Sequence, residues 1–161
     1  MNKSRYIWGA LRLTMGWILL WAFFDKLLGL GFATTAEKAW IAGGSPTSGF
    51  LEFGTGTLFG NFFQSLAGLA IIDWLFMLGL LFIGVALILG IGMKIAGYAG
   101  ALMFFLMWLA LLPSANNPII DDHIIYLLIM LGFTIVDSGD WPGIRKKWAN
   151  TNLVKKYKFL Q

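Results

Sequence analysis

The stretch Ile72–Ile91, IDWLFMLGLLFIGVALILGI, has one ionisable side chain, Asp73, at its start and none after it. As a helix it would cover about 30 Å, the thickness of a bilayer's hydrocarbon core. Outward from it, Gly92-Met93-Lys94 reads as a tight reversal into a second apolar run, Ile95–Leu112. Ile7 to about Leu30 and Ile119 to about Val136 are two more. The composition agrees, with 58% of the 161 residues apolar and 12% charged, where a soluble domain is nearer a quarter charged. The expected fold is therefore all-α: a polytopic membrane protein built as a four-transmembrane-helix bundle. Its membrane domain covers residues 1–143, and a basic amphipathic tail follows at 144–161.

The first run is too long for the core of a signal peptide and lacks a small-residue cleavage site, so it reads as a retained anchor. The basic residues set the orientation. With both termini inside, Lys3, Arg5, Arg12, Lys94 and six tail bases lie on the inner side, against Lys26 and Lys38 outside. Ten to two favours N-in/C-in. The net charge of +4 thus belongs to topology and to anionic membrane lipid rather than to nucleic acid. Ala96 with Gly100 and Gly97 with Ala101 place small residues four apart, a pattern that lets helices approach closely.

Residues 31–71 form an outer connection too long and too poor in charge for a plain linker. Thr34 and Glu37 have capping-box spacing ahead of a short helix, and Gly43-Gly44-Ser45-Pro46 breaks it. Leu58, Phe59, Phe62, Phe63 and Leu66 recur at helical spacing and predict an amphipathic helix lying over the mouth of the bundle.

Placing the spans brings distant polar residues to one level. Asp25 and Lys26 lie near the outer end of the first span and Asp73 at the start of the second. The segment Asn116–Tyr126, NNPIIDDHIIY, holds Asp121, Asp122 and the chain's one histidine, His123. Asn117 suits an N-cap and Pro118 a first helical position, so a helix is expected to begin there. Ionisable groups at such a depth are costly and point to function. Asp25, Asp122 and His123 are the candidate proton-exchanging groups, with Asp122 orienting the imidazole. Trp17, Trp21 and Tyr126 would wall a flat ring, and Lys26, Asp73, Asn117 and Asp121 would complete a ligand site. Each also has a plainer reading: acids at a helix start favour the dipole, Asp25 and Lys26 can snorkel, Asp73 can mark the interface, and His123 can simply pack.

Arg12 falls level with Asp137 or Asp140 at the other end, where an ion pair holding the bundle, or a lipid phosphate, would suit it. Asp121, Asp122 and His123 point in different directions on a helix, so no metal site is expected. With no cysteine and one histidine, the chain alone provides no thiolate metal site, iron–sulfur cluster or bis-histidine haem.

Several segments together carry a resemblance: RLTMGW (12–17), FFDKLLGLGFAT (23–34), AWIAGGSPTSGFL (39–51), DWLFMLGLLFIGVALILGIG (73–92) and NNPIIDDHIIY. Over the chain up to about Trp141 they resemble the DoxX family of small four-helix membrane proteins. The resemblance implies a protein of the prokaryotic cytoplasmic membrane. Related proteins include the DoxD-type subunit of thiosulfate:quinone oxidoreductase, so a quinone-interacting subunit of a membrane oxidoreductase is the expected role and quinone the expected ligand. An oxidoreductase partner subunit or a second copy of the chain would be its protein partner. The alternative is a non-catalytic membrane module that assembles or stabilises a partner. The resemblance assigns no catalytic residues.

Overall fold

The structure, a computed structural model, describes residues 4–136 and 143–160. All regular structure among these residues is helical. Helices α1 (Ser4–Leu28), α3 (Ala70–Leu89) and α4 (Met93–Leu111) are each long and apolar enough to cross a membrane. A short helix α2 (Gly60–Gln64) lies in the long connection, and α5 (Asp122–Ile135) is apolar but only 14 residues long.

Side-chain contacts show how the long helices run. Gly16 of α1 lies against Leu87 and Ile88 of α3, while Leu20 meets Gly84, so the two are antiparallel. On α4 and α5, Gly97 lies at Met130 and Thr134, while Phe104 stacks near Tyr126, again antiparallel. Trp8 packs edge-on against Phe133 at 5.8 Å and closes α1 onto α5. One end of the bundle therefore gathers the end of α1 and the starts of α3 and α5 beneath the long connection. We call it the loop end. The opposite end carries the α3–α4 turn.

That turn is set by two glycines, Gly90 and Gly92, at φ 72° and 57°, left-handed values that cost other residues a clash with their own Cβ. The reversal comes two residues before the expected Gly92-Met93-Lys94, and Lys94 belongs to the first turn of α4. The last turn of α3 leaves carbonyls without helical partners. The fully buried Arg12 guanidinium takes two of them, donating to the oxygens of Leu87 and of Ile88, the latter at 3.1 Å. A cation also complements the negative end of the α3 dipole. Asp137, the expected ion-pair partner of Arg12, lies outside the described residues.

The small residues of α4 do what their spacing suggests: Ala96, Gly97, Gly100 and Ala101 are all buried. Met130 and Thr134 of α5 fill the space left at Gly97 and Gly100, and Met130 is itself fully enclosed. Lipid chains are as apolar as leucine, so close packing rather than burial from water must hold such helices together.

The long connection differs from the amphipathic helix expected over 58–66. Gly56 donates its N–H to the Ala110 carbonyl at 2.8 Å and Leu58 to that of Leu112 at 3.1 Å. These bonds tie the segment to the end of α4 and hold it out of helical register until Gly60. Of the five apolar residues only Phe63 is buried, against Leu51 and Ala110, with Leu66 beside them. The rest of the connection is 3₁₀ turns at Ala36–Lys38 and Trp40–Ala42 and a wide turn at Phe50–Gly54.

At the opposite end, residues 143–160 form α6 (Arg145–Ala149), α7 (Asn152–Lys156) and a 3₁₀ turn, Lys158–Leu160. Ile144 donates to the Leu89 carbonyl at 2.9 Å, and Val154 is fully buried, so this segment is packed onto the helical body.

A Cβ on Gly97 would lie 2.8 Å from the Met130 carbonyl oxygen, which can retreat only if the α5 backbone moves. Gly97→Ala should lower stability, because overpacking of about 1–3 kcal/mol opposes the roughly 1 kcal/mol of helix propensity it gains. Gly79→Ala, whose added methyl meets only Met103 Sδ at 3.6 Å, should not. Thermal unfolding of both variants in one detergent measures the difference.

Candidate functional site at the loop end

The loop-end carboxylates are committed to different tasks. Asp25 is 2% exposed in the last turns of α1 and accepts the backbone N–H of Phe32 at 3.2 Å and of Ala33 at 2.9 Å, one on each oxygen. It thereby folds residues 29–34 back over the end of its own helix, with Gly29 at φ 65° making the turn. Asp73, 6% exposed, does the same for the next part of the connection. Its Oδ1 accepts the Ser45 hydroxyl at 2.8 Å, the Thr47 hydroxyl at 2.6 Å and the Thr47 N–H at 3.2 Å. Ionised carboxylates bind such donors strongly, and burial makes the loss of any one costly.

The third group is separate. Asp121 is the N-cap of α5: its Oδ1 accepts the His123 N–H at 3.1 Å, and its Oδ2 lies 2.8 Å from His123 Nδ1. One carboxylate thus starts the helix and holds the imidazole ring in place. The helix begins at Asp122, four residues after the expected Pro118. The Asn117 side chain is used earlier, accepting the N–H groups of Ile119 and Ile120 at 3.1 Å in a turn of its own. Trp108 on α4 braces that turn by donating its indole N–H to the Ile119 carbonyl at 2.8 Å.

Between these parts is a hollow of about 230 Å³. Ser114, Asn116, Asn117 and Ile120 line it from the α4–α5 connection, and Asp121, Asp122 and His123 line it from the start of α5. Phe104 lies below, its ring centre 6.2 Å from the imidazole and 5.3 Å from Tyr126. With Nδ1–H directed at Asp121, a neutral His123 presents Nε2 as a proton acceptor, and a charged one presents an N–H donor. A base held by a carboxylate through its other nitrogen is the arrangement that directs proton transfer in many active sites.

The structure therefore divides the residues that the sequence gathers at one level. His123, Asp121, Asp122 and Asn117 share the hollow, and Tyr126 lies beneath it. Asp121 rather than the exposed Asp122 orients the imidazole. Among the described residues no hydrogen bond joins Asp25 or Asp73 to His123. Trp17 is 57% exposed on the outside of α1, and Trp21 lies tilted against it at 5.9 Å and edge-on to Phe32 at 5.0 Å, packing over the Asp25 turn. Lys26 is half-buried beside Asp25. Glu37, in the connection, titrates below the usual carboxylate value because a backbone N–H and then the Thr35 side chain favour its ionised form.

The sequence reading missed Ser45, Thr47, Ser114 and Trp108. Hydroxyls beside Gly-Gly hint that Ser45 and Thr47 have a loop role, but nothing local pairs them with Asp73. No group of three or more His, Asp or Glu side chains among the described residues could hold a metal. In comparisons with known proteins, no family model, curated protein or solved structure matches the chain.

If Asp25 anchors the loop, Asp25→Asn turns one acceptor into an amide NH₂ facing a backbone N–H. Hydrogen exchange at Phe32 and Ala33 should then accelerate by roughly tenfold or more, as losing a charged hydrogen bond implies. Exchange at His123 should stay unchanged. Mass spectrometry of the exchanged protein in detergent reads both.

Proposed function

We propose that the protein is a DoxX-like, multi-pass protein of a prokaryotic cytoplasmic membrane, with four spans and both termini inside. In this reading the hollow beside Asp121 and His123 receives the polar head of a lipid-soluble quinone. The observation that carries it is the 2.8 Å Asp121–His123 pair on the rim of a hollow at the loop end of apolar helices. The short α5 adds support. Its 14 residues reach about 21 Å, less than the hydrocarbon thickness, so its N-terminus can lie at the depth where a quinone ring resides. The excess of bases at the end opposite the loop favours that orientation.

The role of His123 follows from its hydrogen bond. Reducing a quinone takes two electrons and two protons. The electrons come from a redox centre on a partner oxidoreductase subunit. One proton leaves Nε2 of the imidazolium for a quinone oxygen, while Asp121 holds the ring through Nδ1. The second proton comes from water at the open side of the hollow, beside the exposed Asp122. Asn116 and Asn117 offer amide N–H groups to the other oxygen, and Tyr126 and Phe104 provide the apolar floor. Asp25 has no proton task in this scheme, because loop amides occupy both its oxygens.

A second reading, a module that assembles a partner, is favoured by one feature. The long connection is fixed by buried carboxylates yet exposes Phe53 at 85% and Phe32 at 73%. A rigid surface with such side chains suits docking.

Trp108, bonded to Ile119 next to the hollow's lining residue Ile120, is a built-in reporter. Titrating the protein in lipid nanodiscs with a short-tailed quinone should quench its fluorescence saturably, and Trp108→Phe should remove most of the saturable part. His123→Gln should weaken binding by roughly tenfold, the cost of one charged hydrogen bond. Quenching that never saturates, or that ignores His123→Gln, rules out the quinone site. A partner that co-purifies equally with both proteins would then support the docking role.

A further inference from the structure

The segment opposite the hollow has chemistry of its own. Between Gly143 and Leu160 the chain has no Asp or Glu. Lys146, Lys147, Lys155, Lys156 and Lys158 are all exposed, and Lys94 is exposed on the adjoining first turn of α4. Interleaved with them are large apolar side chains that are also uncovered: Ile144, Leu153, Tyr157 and Phe159, the last at 62%. Lys156 lies over the Tyr157 ring at 5.5 Å, so cation and apolar ring occupy one patch. None of this is a loose tail. Ile144 is bonded to the Leu89 carbonyl, the Trp148 indole to the Leu160 carbonyl at 2.7 Å, and Val154 is fully buried. The patch is thus held beside Gly90–Gly92, where two membrane-length helices end.

We propose that residues 143–160, packed against the α3–α4 turn, form a binding face for the headgroups of anionic phospholipids. A lipid surface answers both parts of the patch: phosphates for the ammonium groups, and the acyl boundary for the leucine and the aromatic rings. A nucleic acid would match the lysines but leave Leu153 and Phe159 in water. Free phosphate would leave them there as well. Each lysine near an anionic surface is worth about fivefold in binding, and holding the segment in place removes the cost of ordering it. This inference needs no orientation in the membrane and no quinone, since the patch lies at the end of the apolar helices either way.

The test uses the full chain in vesicles of phosphatidylcholine and phosphatidylglycerol, extracted as native patches with a styrene–maleic acid copolymer. Phosphatidylglycerol in the patches should exceed its share in the vesicles by about twofold or more. Lys146→Gln, Lys147→Gln, Lys155→Gln, Lys156→Gln and Lys158→Gln together should return it to the vesicle share, while the same five changed to Arg should retain the excess. The excess should also vanish when extraction follows equilibration in about 1 M salt, where charges farther apart than roughly 3 Å are screened. No excess with the native sequence overturns the proposal. So does an excess that survives the five glutamines or high salt, which also covers a glutamine variant that fails to fold. Loss of the excess in millimolar phosphate but not in equivalent chloride overturns it in favour of a free-phosphate site. Tight binding of a labelled RNA with no lipid preference overturns it in favour of nucleic acid.

Discussion

A carboxylate that leaves water must find donors in its own chain, and the loop end of this protein is built around that requirement. Asp25 and Asp73 sit on different helices, yet each reaches into the long connection and takes backbone or hydroxyl hydrogens from it. Those donors offset the cost of burying the two acids at 2% and 6% exposure. The acids in turn fix the connection at Phe32–Ala33 and at Ser45–Thr47. Charge satisfaction and loop shape are one problem with one solution.

The same rule separates scaffold from site. Asp121 also has backbone to satisfy, but its second oxygen goes to an imidazole rather than to another amide. Two acids are thus spent on architecture, and a third extends its influence to a group that can change protonation. Arg12 applies the rule at the opposite end with the sign reversed, a buried cation placed on carbonyls that a helix terminus leaves unpaired.

The long helices were legible because twenty apolar residues in a row admit few other structures, and the glycines of α4 because their spacing is helical. The start of α5 was not. Asn117-Pro118 and Asp121-Asp122 are both acceptable openings, and the choice depends on Trp108, eleven residues before the carbonyl it holds. The candidate site was legible as an inventory rather than as a partition. Sequence level places Asp25, Asp73 and His123 at one height, but which donors each acid meets depends on the path of a forty-residue connection. Trp17 shows the same limit: its four-residue spacing with Trp21 and Asp25 fixes a common stripe, yet that stripe curves away to the outer surface of α1.

The turn at Gly90–Gly92 has a further consequence, for biogenesis. With so few residues between them, α3 and α4 cannot be far apart in depth at any stage after both have formed. A nascent chain would commit the pair to the bilayer as a single hairpin, sharing the cost of insertion. The more apolar first arm would carry in the second, whose lower mean hydropathy and Lys94 make it the poorer candidate to insert alone.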